Sequence, residues 1–429
     1  MNQTPLSKAS RQRRTPGRPW FLAGAFALAL ASVPAVTLPD ATLTDVAQDA
    51  TPQHDTDASQ NPVPDVQRYQ QRIAELEATG GAYANGLSEQ LLGLGLALQR
   101  SGDHAEAIKT FKRGIHLTRI NEGLHSDRQM AMLQGEIASH IAQGSLSEAD
   151  ERQRYLYRIQ THALTDVTRA RAYMQHAQWQ RKAYEADLGE NSFMRLINMF
   201  RLYRLALTDL VNLEGKESPS LLEPLYAMLQ AQYLLSGFVG ETSSGFYRTR
   251  VILGDEEKAM QQAYRKTSHK EGNAVIRSIY EVSEVQPGFD QETAANILVM
   301  QADWKLWHGK RDDAEAIYGE IFTELAAREE DQAIITSLFE EPVPLPTLEG
   351  VRTLPPRIAE REGALLLEFD VTARGRVRDL QRVDTHPGND DVADAVMRRF
   401  RQTQFRPRIS DGMPVETQGL RWAYDASVW

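Results

Sequence analysis

The chain has 429 residues, enough for two or three domains, and its ordinary apolar content of 41% allows a sizeable buried core. With 58 acidic against 48 basic side chains the net charge is −10, which repels phosphate backbones and excludes general nucleic-acid binding. There is no cysteine, so disulfides, thiolate metal sites and cysteine nucleophiles are excluded.

The first 35 residues have the layout of an export signal. Lys8, Arg11, Arg13, Arg14 and Arg18 form a basic region without acids. An apolar run from Trp20 to Ala31 follows, then Ser32-Val33-Pro34-Ala35, with small residues placed for cleavage after Ala31 or Ala35. Pro34 and the small residues favour cleavage. The alternative is an uncleaved anchor over residues 20–36, whose apolar run of about 17 residues is at the lower edge for spanning ~30 Å of hydrocarbon. Thr15-Pro16 stand where a twin-arginine signal would carry an apolar pair. Both readings put the body outside the cytoplasm, because basic flanks stay inside. Residues 36–66, with scattered Pro, Asp, Thr and Gln, read as a disordered linker.

From residue 67 to 340 proline is rare and amphipathic runs recur. Leu91, Leu94 and Leu98 make one helix stripe, Gly95 permits close helix approach, and Gly102 breaks into a turn. Ala107 is small where two helices would cross, and Phe111 fills the space beside it. Gly144 to Ala149 repeats the turn spacing, as does Gly309 to Ala314 with Tyr318, and Ala302 stands where Gly95 stands. Tyr226 to Tyr233 before Gly237 fits a further first helix. This pattern resembles the tetratricopeptide repeat, although the spacing from Gly102 to Gly144 exceeds the usual period of about 34 residues. Between Ala163 and Gln286 helices are predicted without a repeat signature. Stacked helix pairs bury one another's stripes and leave a groove for protein or peptide partners. The groove-type positions of the first repeat are Glu89, Leu92, Leu96 and Gln99, so a basic clamp for a carboxylate is not predicted there.

Prolines at 342, 344, 346, 355 and 356 end the helices and predict a linker over residues 341–356. Residues 357–429 then read as a β-β-α-β unit. Leu365, Leu367, Phe369 and Val371 alternate on a strand from Ala364 to Val371, and Thr372 to Gly375 make a hairpin turn. The second strand, Arg376 to Val383, breaks strict alternation and predicts a bulge. Asn389 or Asp390 is placed to cap a helix ending near Gln402, with Val392, Ala393, Val396, Met397 and Phe400 on its buried side. Acids at its start and arginines at its end suit the helix dipole. A turn at Asp411-Gly412 leads to a last strand, Gly419 to Asp425.

The order of apolar strand, Gly375-Arg376-Val377 turn, helix with a basic end, Phe405-Arg406-Pro407 and aromatic last strand resembles the C-terminal domain of TonB. The resemblance covers about a fifth of the chain. It implies a Gram-negative envelope protein, periplasmic or anchored in the inner membrane and facing the periplasm. It also implies that Gly419, Leu420, Arg421, Trp422, Ala423, Tyr424 and Asp425 form an edge strand that accepts an extended peptide. The same edge leaves pairing with a second copy of the chain open. An acidic helical array replaces the Pro-rich spacer of that family. The apolar N-terminal run also lacks the histidine that the resemblance associates with energy coupling.

No phosphate-cradling glycine loop, zinc-binding His-Glu-x-x-His or Gly-x-Ser-x-Gly elbow occurs. His104, His116, His125 and His140 share a region without a pairing that puts two on one helix face. Glu329-Glu330 and Glu340-Glu341 read as solvated charge, and Trp304, Trp307 and Tyr318 as helical core. The sequence thus predicts a mostly α chain, a tetratricopeptide-like array followed by a small TonB-like α+β domain. Its expected role is that of an envelope adaptor without catalysis, cofactor or metal. The alternative is an anchored TonB-type energy transducer supporting outer-membrane transport.

Overall fold

The computed structural model describes residues 62–189, 191–238 and 255–428. The expected signal or anchor and nearly all of the expected 36–66 linker lie outside them. Helix α1 (Pro62–Gly80) takes up the last five residues of that linker, its prolines sitting in the first turn, where a missing N–H costs nothing.

Eleven further helices follow: α2 (Leu87–Arg100), α3 (His104–Glu122), α4 (Gln129–Ala142), α5 (Leu146–Ala163), α6 (Asp166–Glu185), α7 (Ser192–Glu214), α8 (Leu222–Gly237), α9 (Asp255–Glu284), α10 (Gln291–Trp307), α11 (Arg311–Ala326) and α12 (Gln332–Phe339). Each packs chiefly on its chain neighbours, so α2–α3, α4–α5, α6–α7, α8–α9 and α10–α11 stand as hairpins in a repeat array. Three hairpins share one turn. Gly102, Gly144 and Gly309 have φ of 81°, 73° and 71°, a region closed to most side chains. In each, the glycine N–H donates to the carbonyl three residues back and the next N–H to the carbonyl five back, which satisfies the helix end. Five residues on, Ala107, Ala149 and Ala314 are fully buried where the second helix meets the first. The α6–α7 turn is built otherwise, from Asp187 and Gly189 at positive φ, with the Asn191 side chain accepting from the Met194 N–H at 2.9 Å.

The segment expected as a 341–356 linker is instead part of the packed structure. Strand β1 (Val343–Pro344) pairs with a later strand, and Leu345, Leu348, Val351 and Leu354 are buried. Leu345 belongs to the core of the last helices and Leu354 to that of the terminal sheet. The side chain of Gln230 donates to the Glu349 carbonyl at 2.9 Å, and Arg181 donates to the Gly350 carbonyl. Apolar residues at every third position outweigh the prolines.

The terminal unit comprises β2 (Leu365–Val371), β3 (Val377–Arg382), α13 (Asp390–Gln402), β4 (Phe405–Arg406), β5 (Arg408–Ser410), β6 (Met413–Val415) and β7 (Thr417–Tyr424). Antiparallel β3–β2–β7 forms the main sheet, β1 pairs with β4, and β5 with β6 around Asp411-Gly412. The expected bulge is present as a register shift between Glu368 and Asp370. Leu365, Leu367, Phe369 and Val371 point into a core closed by Val396 and Phe400 of α13, with Phe369 edge-on to Phe400 at 5.1 Å and to Trp422 at 5.0 Å. Gly375, at φ 68°, lies so close to the Phe405 carbonyl that no Cβ fits. Asn389 precedes α13 as expected but does not cap it: its side chain donates instead to Asp384 Oδ1 at 3.0 Å.

This unit is docked on the helices rather than tethered to them. Arg406 reaches the buried Asp303 of α10 at 3.0 Å, and the Tyr318 hydroxyl donates to the same carboxylate at 2.6 Å. Ile409 of β5 joins the helical core, and the Gly412 carbonyl lies against Gly319 of α11. Burial pushes the Asp303 carboxyl up, and the Arg406 guanidinium and the Tyr318 hydroxyl oppose it.

Candidate partner-binding surfaces

The terminal strand is an edge of the main sheet. Leu420, Trp422 and Tyr424 pair with Phe369, Leu367 and Leu365, and turn their side chains into the core. Main-chain groups alternate along an antiparallel strand. Those of Arg421 and Ala423 therefore face away from β2, the direction in which the Ala423 carbonyl accepts the Ile358 N–H at 3.0 Å. The expectation of an open rim from Gly419 to Asp425 needs correction. The Gly419 N–H is held by Asp370 Oδ1 at 2.9 Å, and residues 357–361 lie over the Trp422–Asp425 end. Arg357 stacks on Trp422 at 4.5 Å, Arg421 pairs with Glu360 at 2.8 Å, and Arg361 pairs with Asp425 at 2.9 Å. A short strip of the chain's own backbone satisfies part of the edge, leaving Arg421 as its outward-facing centre.

Beside this strand runs a cleft of ≈ 970 Å³, walled by Leu420, Trp422 and Tyr424 on one side and Pro344, Pro346, Pro355 and Pro356 on the other. Arg352, Arg357 and Arg408 line it, with Glu340 and Glu341 at its rim. The opposite edge, β3, carries Arg378 and Arg382, tied to Glu416 and to Asp384 and Asp390. Charges on an edge strand discourage pairing. Burial alone would raise the Asp384 carboxyl, but bonds from Arg382, Asn389 and the N–H groups of Leu366 and His386 hold it well below the usual carboxylate range.

The repeat-signature residues serve packing. A Cβ at Gly95 would stand 2.3 Å from the Phe111 ring, which lies between Gly95 and Gly135. Leu94, Ala107, Phe111, Ala149, Ala314 and Tyr318 are buried, and Gly102, Gly144 and Gly309 sit in the turns. Of the groove-type positions, Gln99 is consumed by bonds to the Gly135 carbonyl and the Ser139 hydroxyl, both 2.8 Å.

Two hollows that the sequence did not signal flank α7, ≈ 650 Å³ towards α5 and α6 and ≈ 430 Å³ towards α9. The first sits over a buried polar node in which Asp150 accepts from Arg195 at 2.7 and 2.9 Å and from the Trp179 ring at 2.8 Å. His176 lines the same hollow, stacked on Tyr157 at 4.4 Å, and burial pushes its imidazole down to about 4. A folded pKa below the unfolded one means that the unfolded chain binds the extra proton between about 4 and about 6.5. The stability from neutral His176 is therefore full above that window and lost as pH falls through it. The midpoint of urea unfolding is expected to fall more steeply with acidification across this window in the native protein than in His176→Gln.

Among the described residues no three His, Asp or Glu side chains converge as a metal site, and no helix is long and apolar enough to cross a membrane. His125 does not join His104, His116 or His140 but stacks on His162 at 4.3 Å.

No family model matches the chain, and no curated protein matches it. Among solved structures it is similar to the nearly identical TPR-like repeats of a Podosopora anserina kinesin light chain, with 14% identity and a TM-score of 0.32 over 58% of this chain and 95% of that one. A second is BtubC (BKLC) from P. vanneervenii, at 12% identity and a TM-score of 0.29 over 71% of this chain and 98% of that one. Similarity at that level carries no argument, and the helical-repeat assignment rests on the hairpins described above. None of these comparisons supports membership of residues 351–429 in the TonB-type family.

Proposed function

We propose that the protein is a non-enzymatic adaptor of the cell envelope that takes an extended segment of a protein partner onto the outer rim of β7, with the helical array as a second contact surface. One observation carries this reading. Arg421 presents its main-chain donor and acceptor at a sheet edge beside a large cleft walled by prolines and aromatics. An added strand gains ladder hydrogen bonds, and its alternate side chains enter the cleft. The strip at residues 357–361 holds its place with one backbone bond, the stack of Arg357 on Trp422 and exposed ion pairs, contacts weak enough for a partner to displace. The resemblance to TonB-type domains supports the same mode of binding.

Ala423→Pro removes an outward N–H while leaving the pairs that Trp422 and Tyr424 make with β2 intact. A photocrosslinker at position 421 should give adducts in intact cells, and these should vanish in the Ala423→Pro protein while its circular dichroism stays native. Adducts of undiminished yield would refute edge-strand capture. Export is a separate element of the proposal. The mature protein is expected to begin at Ser32 or Val36, and recovery of an intact residue 1 on the membrane would favour the anchored transducer instead.

A further inference from the structure

α7 carries a surface that the adaptor reading does not use. Met194, Arg201 and Leu205 lie along one of its faces, and both flanking hollows include Met194 and Arg201. The hollows therefore adjoin along α7, and together they make a trough-like surface bounded by Tyr157 of α5 on one side and by Met260 and Tyr264 of α9 on the other. Its floor and lip are apolar and open: Leu205 is 43% exposed and Met260 38%. Arg154 and Arg195 hold Asp150, and Arg169 holds Asp209. Arg201 and Arg204 differ, having no carboxylate partner among the described residues. Glu271, at the α9 end, accepts from the Gln232 side chain at 2.9 Å. In a chain with ten more acids than bases, two guanidinium groups without a carboxylate partner among the described residues, beside exposed methionine and leucine, define a complementary ligand.

We propose that this trough binds an acidic, amphipathic peptide segment of a partner protein, its apolar side chains on Met194, Leu205 and Met260 and its carboxylates on Arg201 and Arg204. The partner is not a nucleic acid, which the overall charge of −10 disfavours, nor a basic peptide, which the two arginines at the site repel.

The test uses the full chain and a fluorescein-labelled helical peptide of Leu, Glu and Ala, with Leu at i, i+3, i+4 and i+7. Two controls replace every Glu by Lys or every Leu by Ala. Anisotropy is expected to show saturable binding of the Leu/Glu peptide only. Arg201→Glu with Arg204→Glu should weaken it by roughly ten-fold or more and should create binding of the Lys peptide. Leu205→Asp should weaken the Leu/Glu peptide without creating Lys-peptide binding. Arg201→Gln, at an exposed position, keeps the test valid if the double variant misfolds. Equal binding of Glu and Lys peptides, indifference to the arginine changes, or no saturable binding would each overturn the proposal. Ala423→Pro should leave the peptide affinity unchanged, so failure here is distinguishable from failure of edge-strand capture.

Discussion

Asp303→Ala should destabilise the protein by about 3–5 kcal/mol, because it strands a buried guanidinium. Asp303 is 1% exposed and Arg406 5%, so water cannot replace the lost carboxylate. The Arg406 Nε already lacks a partner, and removing Asp303 leaves the Tyr318 hydroxyl without its acceptor as well. Asp303→Leu combined with Arg406→Met should recover most of the loss, since apolar residues of similar volume are often neutral replacements for a buried pair. Urea unfolding followed by tryptophan fluorescence measures both, with Trp304 beside the pair and Trp422 in the sheet. Hydrogen exchange should rise first in β4, which carries Arg406, and in β5 and β6, which dock on α11 and α12. A loss below about 1 kcal/mol for Asp303→Ala would show that the pair does not hold the two parts together.

The second large effect concerns the first repeats. Phe111→Ala should cost about 3–5 kcal/mol, because a fully buried ring leaves a cavity between α2, α3 and α4. Gly95→Ala drives a methyl group to 2.3 Å from that ring and should itself cost about 1–3 kcal/mol by overpacking. In the Phe111→Ala background the same methyl enters the vacated space. The double variant should therefore be more stable than the sum of the two losses predicts, by about 1 kcal/mol or more. Strict additivity would mean that the ring and the glycine do not share a packing site.

The parts of this molecule that were readable in the sequence are those governed by local chemistry. Gly102, Gly144 and Gly309 announced their turns because only glycine adopts that backbone cheaply, and the buried alanine five residues later follows from the geometry of the hairpin. The terminal strands and α13 were legible from alternation and a helical stripe. The α6–α7 hairpin was not, because Asp187, Gly189 and Asn191 build its turn in another way. The prolines between 342 and 356 concealed the apolar spacing of Leu345, Leu348, Val351 and Leu354, which was the better signal. Arg406 was visible only as part of a motif, since its partner lies 103 residues earlier and no local pattern connects them. The strip over β7 was missed for the same reason: Ile358 and Ala423 meet only in the folded chain. The trough on α7 carries no motif, and its arginines stand out only once the ion pairs around them are known.

The anchoring of residues 345–354 at both ends leaves no slack between the helices and the terminal sheet. A ligand carrying two recognition elements cannot rely on a swinging arm to bring its second contact within reach. Its own spacing must match the fixed separation of the two sites, or the avidity of simultaneous engagement is forfeited. Mechanical load applied at the last strand would likewise pass into the stacked hairpins through the Arg406 clasp before any backbone could pay out.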